Sequence, residues 1–450
     1  MTNPFKAVMN IRKDELPLSL LMFSYFFLVI SSFWILKPLK KALFLQHYQD
    51  AGFTLASWHF NAAQAELLAK ILNMVVAFIA VVVFSWLSRR FHRQKLSYIF
   101  TGFFLVSYLL YTFVIHHPGS LTVWSFYLFG DLFSTLMVAT FFAFMNDSVT
   151  PEKAKRMYGL VGLGGVVGGV FGTSVLRVWI DVVPIQGWLF VNMGIGLAII
   201  VIAMFAGRLV DRSPEAMAHP VRKEEKKPVA EKKAGNPAIE GAVLVFRSPY
   251  LLSIVAIVGL YEVVSTILDF QFTATVVHYL EGAEIGKHLS TVFTITNWVS
   301  MLVQFFLTSF VMTRFGLTAA LAILPAAVLL ASAGFAAVPL LWMGSFLNTA
   351  DNGFSYSINQ SAKEALYVPT SRDEKYRAKA FIDMFVQRFA KAIAVGISLL
   401  ITTIFSDFNS LRYLSLVTIV IILVWFYAVR YAGRKFAQIS EQDGNEGRQC

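Results

Sequence analysis

The stretch from Asn359 to Lys391 carries closely spaced charges inside a very apolar sequence. Ionisable side chains are costly inside or beside a bilayer, so their presence there indicates a functional site. Arg388 and Lys391 share one helix face, where they could bind an anion or form a structural ion pair with Asp383 or Glu364. The ionisable candidates in this stretch are Lys363, Glu364, Asp383, Arg388 and Lys391.

A second group of charges follows the first apolar run. Lys37, Lys40 and Lys41 have the spacing i, i+3, i+4, which places all three on one face of a helix. Like charges on one face repel, so we expect an anionic group to compensate them. The alternative is that they extend from the end of the helix to the lipid headgroups.

Single charges lie in other apolar runs. Glu66 and Lys70 have the i, i+4 spacing of a pair that neutralises itself. Arg177 either contacts a ligand or pairs with Asp131.

Acidic residues recur in the second half of the sequence. Glu262 and Asp269 are seven residues apart and therefore share a helix face, and Asp351 lies in a later apolar run. Acids on a membrane helix favour ion or proton coupling, or a role as partners for the cations.

The composition indicates an integral membrane protein. Of the 450 residues, 57% are hydrophobic and 14% are charged, whereas a soluble domain is about 25% charged. The polar start, residues 1–17, precedes an apolar run too long for a signal peptide, so we expect none that is cleaved. The single cysteine, Cys450, excludes an internal disulfide and a cysteine metal cluster.

The apolar runs predict an all-α protein with twelve membrane-spanning helices in two bundles of six. A charged linker, 211–240, separates an N-terminal bundle, 1–210, from a C-terminal bundle, 241–450, and we expect a monomer. The spans are predicted near 17–36, 62–88, 96–115, 121–145, 158–180, 186–208, 248–277, 289–313, 316–336, 340–362, 381–404 and 411–430.

The basic residues predict the orientation in the membrane. If both termini face the cytoplasm, 28 of the 38 Lys and Arg residues lie on that side. The net charge of +11 therefore reflects membrane topology, with the lipid bilayer as partner, and does not indicate nucleic-acid binding.

The two halves also repeat weakly. Asp131 and Asp351 are 220 residues apart, and Lys155 and Lys375 share that offset. Two parallel repeats of six spans resemble the major facilitator architecture, in which two bundles alternate around a midplane site.

No motif indicates catalysis, a cofactor or a bound metal. The glycine-rich run 159–169 lacks the GK[ST] of a phosphate-binding loop, so we interpret it as a surface for close helix packing. The sequence therefore predicts that the protein is not an enzyme.

Three segments resemble the ATP/ADP exchange transporters of plastids and intracellular bacteria. They are Leu36–Lys40, Asp147–Gly159 and Ser361–Pro369, the last followed by a Lys-Ala-x-Ile-Asp pattern at 379–383. The last segment is similar to the Ser-Thr-Lys-Glu-Met-Ala-Tyr-Ile-Pro segment of that family.

The resemblance implies exchange of nucleotides or other phosphorylated anions, with Lys40 as a phosphate-contacting residue. Lys41 stands where the family usually has an aspartate, so another organic anion remains open. The alternatives are a proton-coupled carrier or exporter of an amphipathic or metal-chelating solute, and a non-transporting membrane protein such as a lipid scramblase.

Overall fold

The computed structural model describes residues 12, 14–211, 237–370, 378–379, 381–405 and 407–446. Twelve long helices, α1 to α12, account for most of these residues. The first six are α1 Leu16–Tyr48, α2 Ala62–Arg90, α3 Arg93–Val114, α4 Ser120–Ser148, α5 Pro151–Trp179 and α6 Ile185–Asp211. After a short helix, Pro237–Arg247, come α7 Pro249–Tyr279, α8 Ala283–Arg314, α9 Gly316–Ala337, α10 at 341–366, α11 at 382–404 and α12 Leu411–Glu446.

Eleven helices in the described ranges are long and apolar enough to cross a membrane. The exception is α10, which a π-helical turn, Ser355–Asn359, divides into Leu341–Phe354 and Gln360–Leu366. The predicted tenth span is therefore present as a divided helix. Further π-helical turns lie in α8, at Val303–Thr308, and at the start of α11, at Ile382–Val386.

Helix ends follow local sequence signals. The residue before a proline avoids helical backbone, and α4 ends at Ser148 while α5 begins at Pro151. At the start of α2, the Asn61 side chain accepts a hydrogen bond from the Gln64 amide, and the Gln64 side chain accepts one from the Asn61 amide. The start of α2 at Ala62 agrees with the predicted span 62–88 and is explained by this cap.

The predicted end of the first span was wrong. We expected it near residue 36, but α1 continues through Pro38 to Tyr48. Proline within a helix is tolerated in membranes because neighbouring groups can satisfy the freed carbonyl. The three lysines of this segment consequently lie within the helix and not at its end.

A small β-hairpin between α1 and α2 was not predicted. Its strands, β1 Phe53–Leu55 and β2 Trp58–Phe60, pair antiparallel around a two-residue turn in which Ala56 has a φ of 53°. The Phe53 ring lies 5.1 Å from the Trp124 ring of α4, centroid to centroid. The alternation of apolar and polar residues in the two strands was the available signal.

Two compact units account for the described chain. The first lies within Met1–Lys227 and Leu280–Asn297, and the second within Pro228–Tyr279 and Trp298–Cys450. The first half of α8 therefore belongs to the unit that contains α1 to α6. In the first unit, phenylalanine rings fill the core, as where Phe26 stacks on Phe141 at 4.6 Å between centroids.

Helix α2 shows how burial follows the membrane environment. Its polar start is buried, with Gln64 and Glu66 exposing 7% and 1% of their surface, while Phe78 and Val82 are exposed. A soluble helix would bury the apolar residues instead. Exposed apolar side chains next to buried charges are what a lipid-facing helix requires.

A glycine stripe on α5 packs against the backbone of α1. Gly164, Gly168 and Gly172 are spaced by four residues, and a Cβ added to each would lie 2.5–2.7 Å from a carbonyl oxygen of α1. The Ser31 hydroxyl donates a hydrogen bond to the Gly168 carbonyl at 3.1 Å. Close packing through small residues, which the glycine-rich run predicted, is confirmed.

We expect Gly168→Ala to destabilise the protein because its Cβ would lie 2.6 Å from the Phe27 carbonyl oxygen, which belongs to a backbone that cannot move freely. Overpacking of this kind costs about 1–3 kcal/mol. Gly162→Ala in the same helix is the matched control, since no atom lies within 4 Å of the added carbon. Thermal unfolding of the detergent-solubilised variants measures the difference, and equal midpoints would contradict this account of the stripe.

Candidate functional site

Lys40 lies at the centre of a buried ionic cluster in the first unit. Only 4% of its surface is exposed, and its ammonium forms a salt bridge with Asp131 of α4. The ammonium also lies 4.3 Å from the centroid of the Tyr127 ring, within cation–π range. Gly130 leaves room for this arrangement, because a Cβ there would lie 2.6 Å from Cδ of Lys40 and would displace the lysine side chain.

Glu66 joins the second part of this cluster. Its carboxylate lies 2.9 Å from the Lys70 ammonium and 3.6 Å from the Lys41 ammonium, and it accepts a 2.6 Å hydrogen bond from the Tyr127 hydroxyl. The predicted Glu66–Lys70 pair is confirmed, and the structure adds Lys41 to it. The Glu66 carboxylate is only 1% exposed, and its negative charge offsets the positive charges of the buried lysines beside it.

The alternative that the lysines of α1 extend to the lipid headgroups is wrong for Lys40 and Lys41, which are both buried. Lys37 is half-buried, and its ammonium lies 4.5 Å from the Trp34 ring and 5.1 Å from the Phe293 ring. Aromatic faces attract a cation that is shielded from water. Residue 293 lies in the part of α8 that belongs to the first unit.

Arg177 is half-buried near the end of α5. The predicted alternative of a pair with Asp131 is wrong, because Asp131 pairs with Lys40. Within the described ranges, Arg177 forms no ion pair.

A polar cluster in the second unit joins α7, α10 and α11. The Glu262 carboxylate lies 3.5 Å from the Lys391 ammonium. The Ser265 hydroxyl donates a 2.6 Å hydrogen bond to Asp351, which is 2% exposed. The alternative that Lys391 pairs with Glu364 is wrong; the partner found is Glu262, one of the acids predicted as possible partners for the cations.

Glu364 instead binds Lys379, at 2.5 Å, across the charged turn. Lys363 is half-buried and forms no ion pair with residues that the structure describes. Arg388 is also half-buried and has interaction partners. The side chain of Asp383 lies outside the described residues, as does the charged turn 371–377.

One π-helical turn lies at the start of the charged stretch 359–391, and a second lies within it. One ends at Asn359, and another spans Ile382–Val386. Such turns occur frequently at functional sites because they redirect side chains and free backbone groups. The clustering of Gly, Ser and Asn at 352–359 was a weak signal for the first of them.

A bidentate ion pair at the other end of α1 was not predicted. Arg156 of α5 donates to both carboxylate oxygens of Glu15, which is 4% exposed. The hydrogen bond from Arg156 lowers the pKa of Glu15 below its ordinary value. The pair therefore stabilises the fold above the unfolded-state pKa, and this contribution is lost as pH falls through the folded-state pKa. Arg156 has a structural role in the 147–159 motif.

Twelve long helices, of which eleven in the described ranges are long and apolar enough to cross a membrane, together with buried charges are typical of a multi-pass membrane transporter. The Major Facilitator Superfamily profile matches residues 21–380, and the chain belongs to that superfamily. A TLC ATP/ADP transporter profile matches residues 336–436, which include the charged run after Asn359. The predicted fold class and the predicted resemblance to ATP/ADP-type transporters are confirmed.

Individual proteins agree with this assignment. The chain is 23% identical over 442 residues to ADP,ATP carrier protein 2 of Chlamydia trachomatis, covering 81% of this chain and 80% of the relative. It is 23% identical to the plastidic ATP/ADP-transporter of Solanum tuberosum, over 72% of this chain and 56% of that protein, so it spans about half of the plant relative. A mutant form of the nucleoside transporter NupG has the same fold, with a TM-score of 0.64, 13% identity, and coverage of 92% of this chain and 99% of that one.

Proposed function

We propose that this protein exchanges nucleotides, or other phosphorylated organic anions, across an inner membrane by alternating access. The observation that carries the proposal is the charge of the cluster around α1. Within the described part of the first unit, the cluster contains four lysines, at 37, 40, 41 and 70, and two carboxylates, Glu66 and Asp131. Lysines gathered in this way provide the positive charge that a phosphorylated anion needs for binding.

The names of the relatives support a nucleotide as the anion, since they are described as carriers of ADP and ATP. Lysine and arginine are the side chains that bind phosphate groups. The residues proposed to contact the substrate are Lys37, Lys40, Lys41, Arg177, Lys363, Arg388 and Lys391. The acids Glu262, Asp269 and Asp351 are proposed to couple the substrate to a counter-substrate or proton.

The remaining expectations belong to the same proposal. The linker 211–240 separates halves at 1–210 and 241–450 that act as the two moving parts, and both termini face the cytoplasm, as the basic residues favour. Membership of a transporter superfamily favours transport over the scramblase alternative.

A counterflow assay tests this function directly. Proteoliposomes containing the purified protein are loaded with unlabelled ADP and placed in labelled ATP. We expect ATP uptake that depends on internal ADP. Matched vesicles loaded with uncharged adenosine should show no such uptake. Parallel vesicles loaded with sugar phosphates or with inorganic phosphate show whether a phosphate group alone is enough for exchange with ATP.

Absence of exchange for every phosphorylated solute would reject the proposal. Uptake of an uncharged or amphipathic solute that follows a pH gradient and ignores internal nucleotide would support the alternative carrier.

A further inference from the structure

The β-hairpin between α1 and α2 has one face made entirely of apolar side chains. Its two strands pair with Phe53 opposite Phe60 and Leu55 opposite Trp58. Residues two apart in a strand lie on the same face of a sheet, and so do residues directly opposite each other in an antiparallel pair. These four residues therefore form a single surface, the apolar hairpin face.

The opposite face of the hairpin is polar but uncharged. Thr54 and His59 are opposite each other there, with 3.2 Å between Oγ1 of Thr54 and Nδ1 of His59, and both residues are exposed. The whole stretch 51–61 contains no Asp, Glu, Lys or Arg. Segments that lie in bulk water usually carry such residues. The hairpin is therefore amphipathic, and it lacks the charges typical of a loop surrounded by water.

The base of the apolar hairpin face packs against aromatic residues of α1 and α4. The Phe53 ring lies 5.6 Å from the Tyr48 ring and 5.1 Å from the Trp124 ring, centroid to centroid. The Trp124 indole N–H donates a 2.8 Å hydrogen bond to the Tyr48 hydroxyl. These contacts attach the hairpin to the ends of two membrane-spanning helices.

Gly52 directs the hairpin back toward these helices. Its amide donates a 3.0 Å hydrogen bond to the Tyr48 carbonyl, and its φ is 64°, a conformation that favours glycine. A Cβ at this position would lie 2.7 Å from both the His59 ring and the Phe60 carbonyl oxygen. The chain therefore turns sharply where α1 ends, and the orientation of the hairpin is fixed by close packing.

The tip of the apolar hairpin face is uncovered by protein. Leu55 and Trp58 expose 56% and 60% of their surface. The hairpin lies between the end of α1, at Tyr48, and the start of α2, at Ala62, which places it at the level of a membrane surface. Tryptophan and tyrosine are enriched at that level, because one part of each side chain is apolar and another is polar.

We propose that the apolar hairpin face binds the lipid–water interface on the side of the membrane where α1 ends. Trp58 and Leu55 lie among the lipid headgroups and the first carbons of the acyl chains, while Thr54 and His59 face water. Apolar contact supplies the affinity, since residues 51–61 contain no Lys or Arg that would attract anionic lipid.

Spin labels on the two faces of one strand test this placement. Cys450 is the single cysteine of the chain, so Cys450→Ser provides a background for Leu55→Cys, with Thr54→Cys, on the polar face, as the matched control. The labelled proteins are reconstituted in phosphatidylcholine vesicles, and power saturation measures collisions with oxygen, which enters lipid, and with a nickel chelate, which stays in water. We expect the oxygen-to-nickel ratio to be at least about threefold higher at residue 55 than at residue 54.

Two results would overturn the proposal. Equal ratios at the two positions would place both faces in water. A label at residue 55 that neither oxygen nor nickel reaches would show that protein, such as a second copy of this chain, covers the face.

Tryptophan fluorescence gives an independent test without any cysteine variant. Subtracting the emission of Trp58→Phe from that of the native protein isolates Trp58 among the nine tryptophans. We expect this difference signal to be quenched more by phosphatidylcholine brominated near the headgroup than by lipid brominated near the ends of the acyl chains. No quenching by either lipid, or stronger quenching by the deeper bromines, would contradict an interfacial position.

Discussion

Replacing Lys40 with alanine is expected to reduce the rate of nucleotide counterflow at least about a hundredfold. The substitution removes a buried positive charge that contributes about 3 kcal/mol to the binding of the anion. The Lys40 ammonium contacts Asp131 and Tyr127, and Lys40 shares a helix face with Lys37 and Lys41. Uptake of labelled ATP into ADP-loaded proteoliposomes measures the loss.

The same substitution leaves the Asp131 carboxylate without its lysine, so a loss of transport could reflect a damaged fold. The double variant Lys40→Met, Asp131→Leu separates these effects. Replacing a buried ion pair by apolar residues of similar size is often neutral for stability. We expect the double variant to unfold at nearly the native temperature and still not to transport. Recovery of transport together with stability would show that Lys40 is only a structural residue.

Glu66→Gln is expected to have the largest effect on stability. Glu66 is 1% exposed and is the carboxylate that compensates both Lys41 and Lys70. Removing the charge of one partner from a buried ionic group costs about 3–5 kcal/mol, because the remaining charges stay buried. We expect little monodisperse protein on size-exclusion chromatography and a clearly lower unfolding temperature.

Two milder changes in the same group are the controls. Tyr127→Phe removes one hydroxyl that donates to Glu66, which should cost about 1–3 kcal/mol. Lys70→Met removes the more exposed of the two lysines and keeps the Glu66–Lys41 contact, so its cost should also be smaller. If Glu66→Gln were as stable as Tyr127→Phe, the lysines would not depend on this carboxylate.

Local patterns were enough to predict most of the helices and one ion pair. The Glu66–Lys70 pair could be read from spacing because both residues lie on one helix, whose geometry is known in advance. The glycine-rich run on α5, which predicted close helix packing, is likewise a feature of one segment. The hairpin at 53–60 was missed because its strands are three residues each, too short for alternation to stand out.

Pairings between distant segments depended on how the helices pack. The 33-residue length of α1 was not predicted because Pro38 was expected to end the helix. Proline ends helices in water, but it is tolerated in a membrane helix that neighbouring helices surround. Lys40 with Asp131 and Lys391 with Glu262 join residues that are 91 and 129 positions apart in sequence, and other acids were equally plausible partners for each lysine.

Hydropathy and the distribution of basic residues were sufficient to predict a polytopic membrane protein and its charged candidates, because insertion into lipid depends on each segment separately. Which charge neutralises which was decided only by tertiary packing, because a salt bridge depends on side chains brought within about 4 Å by several helices at once.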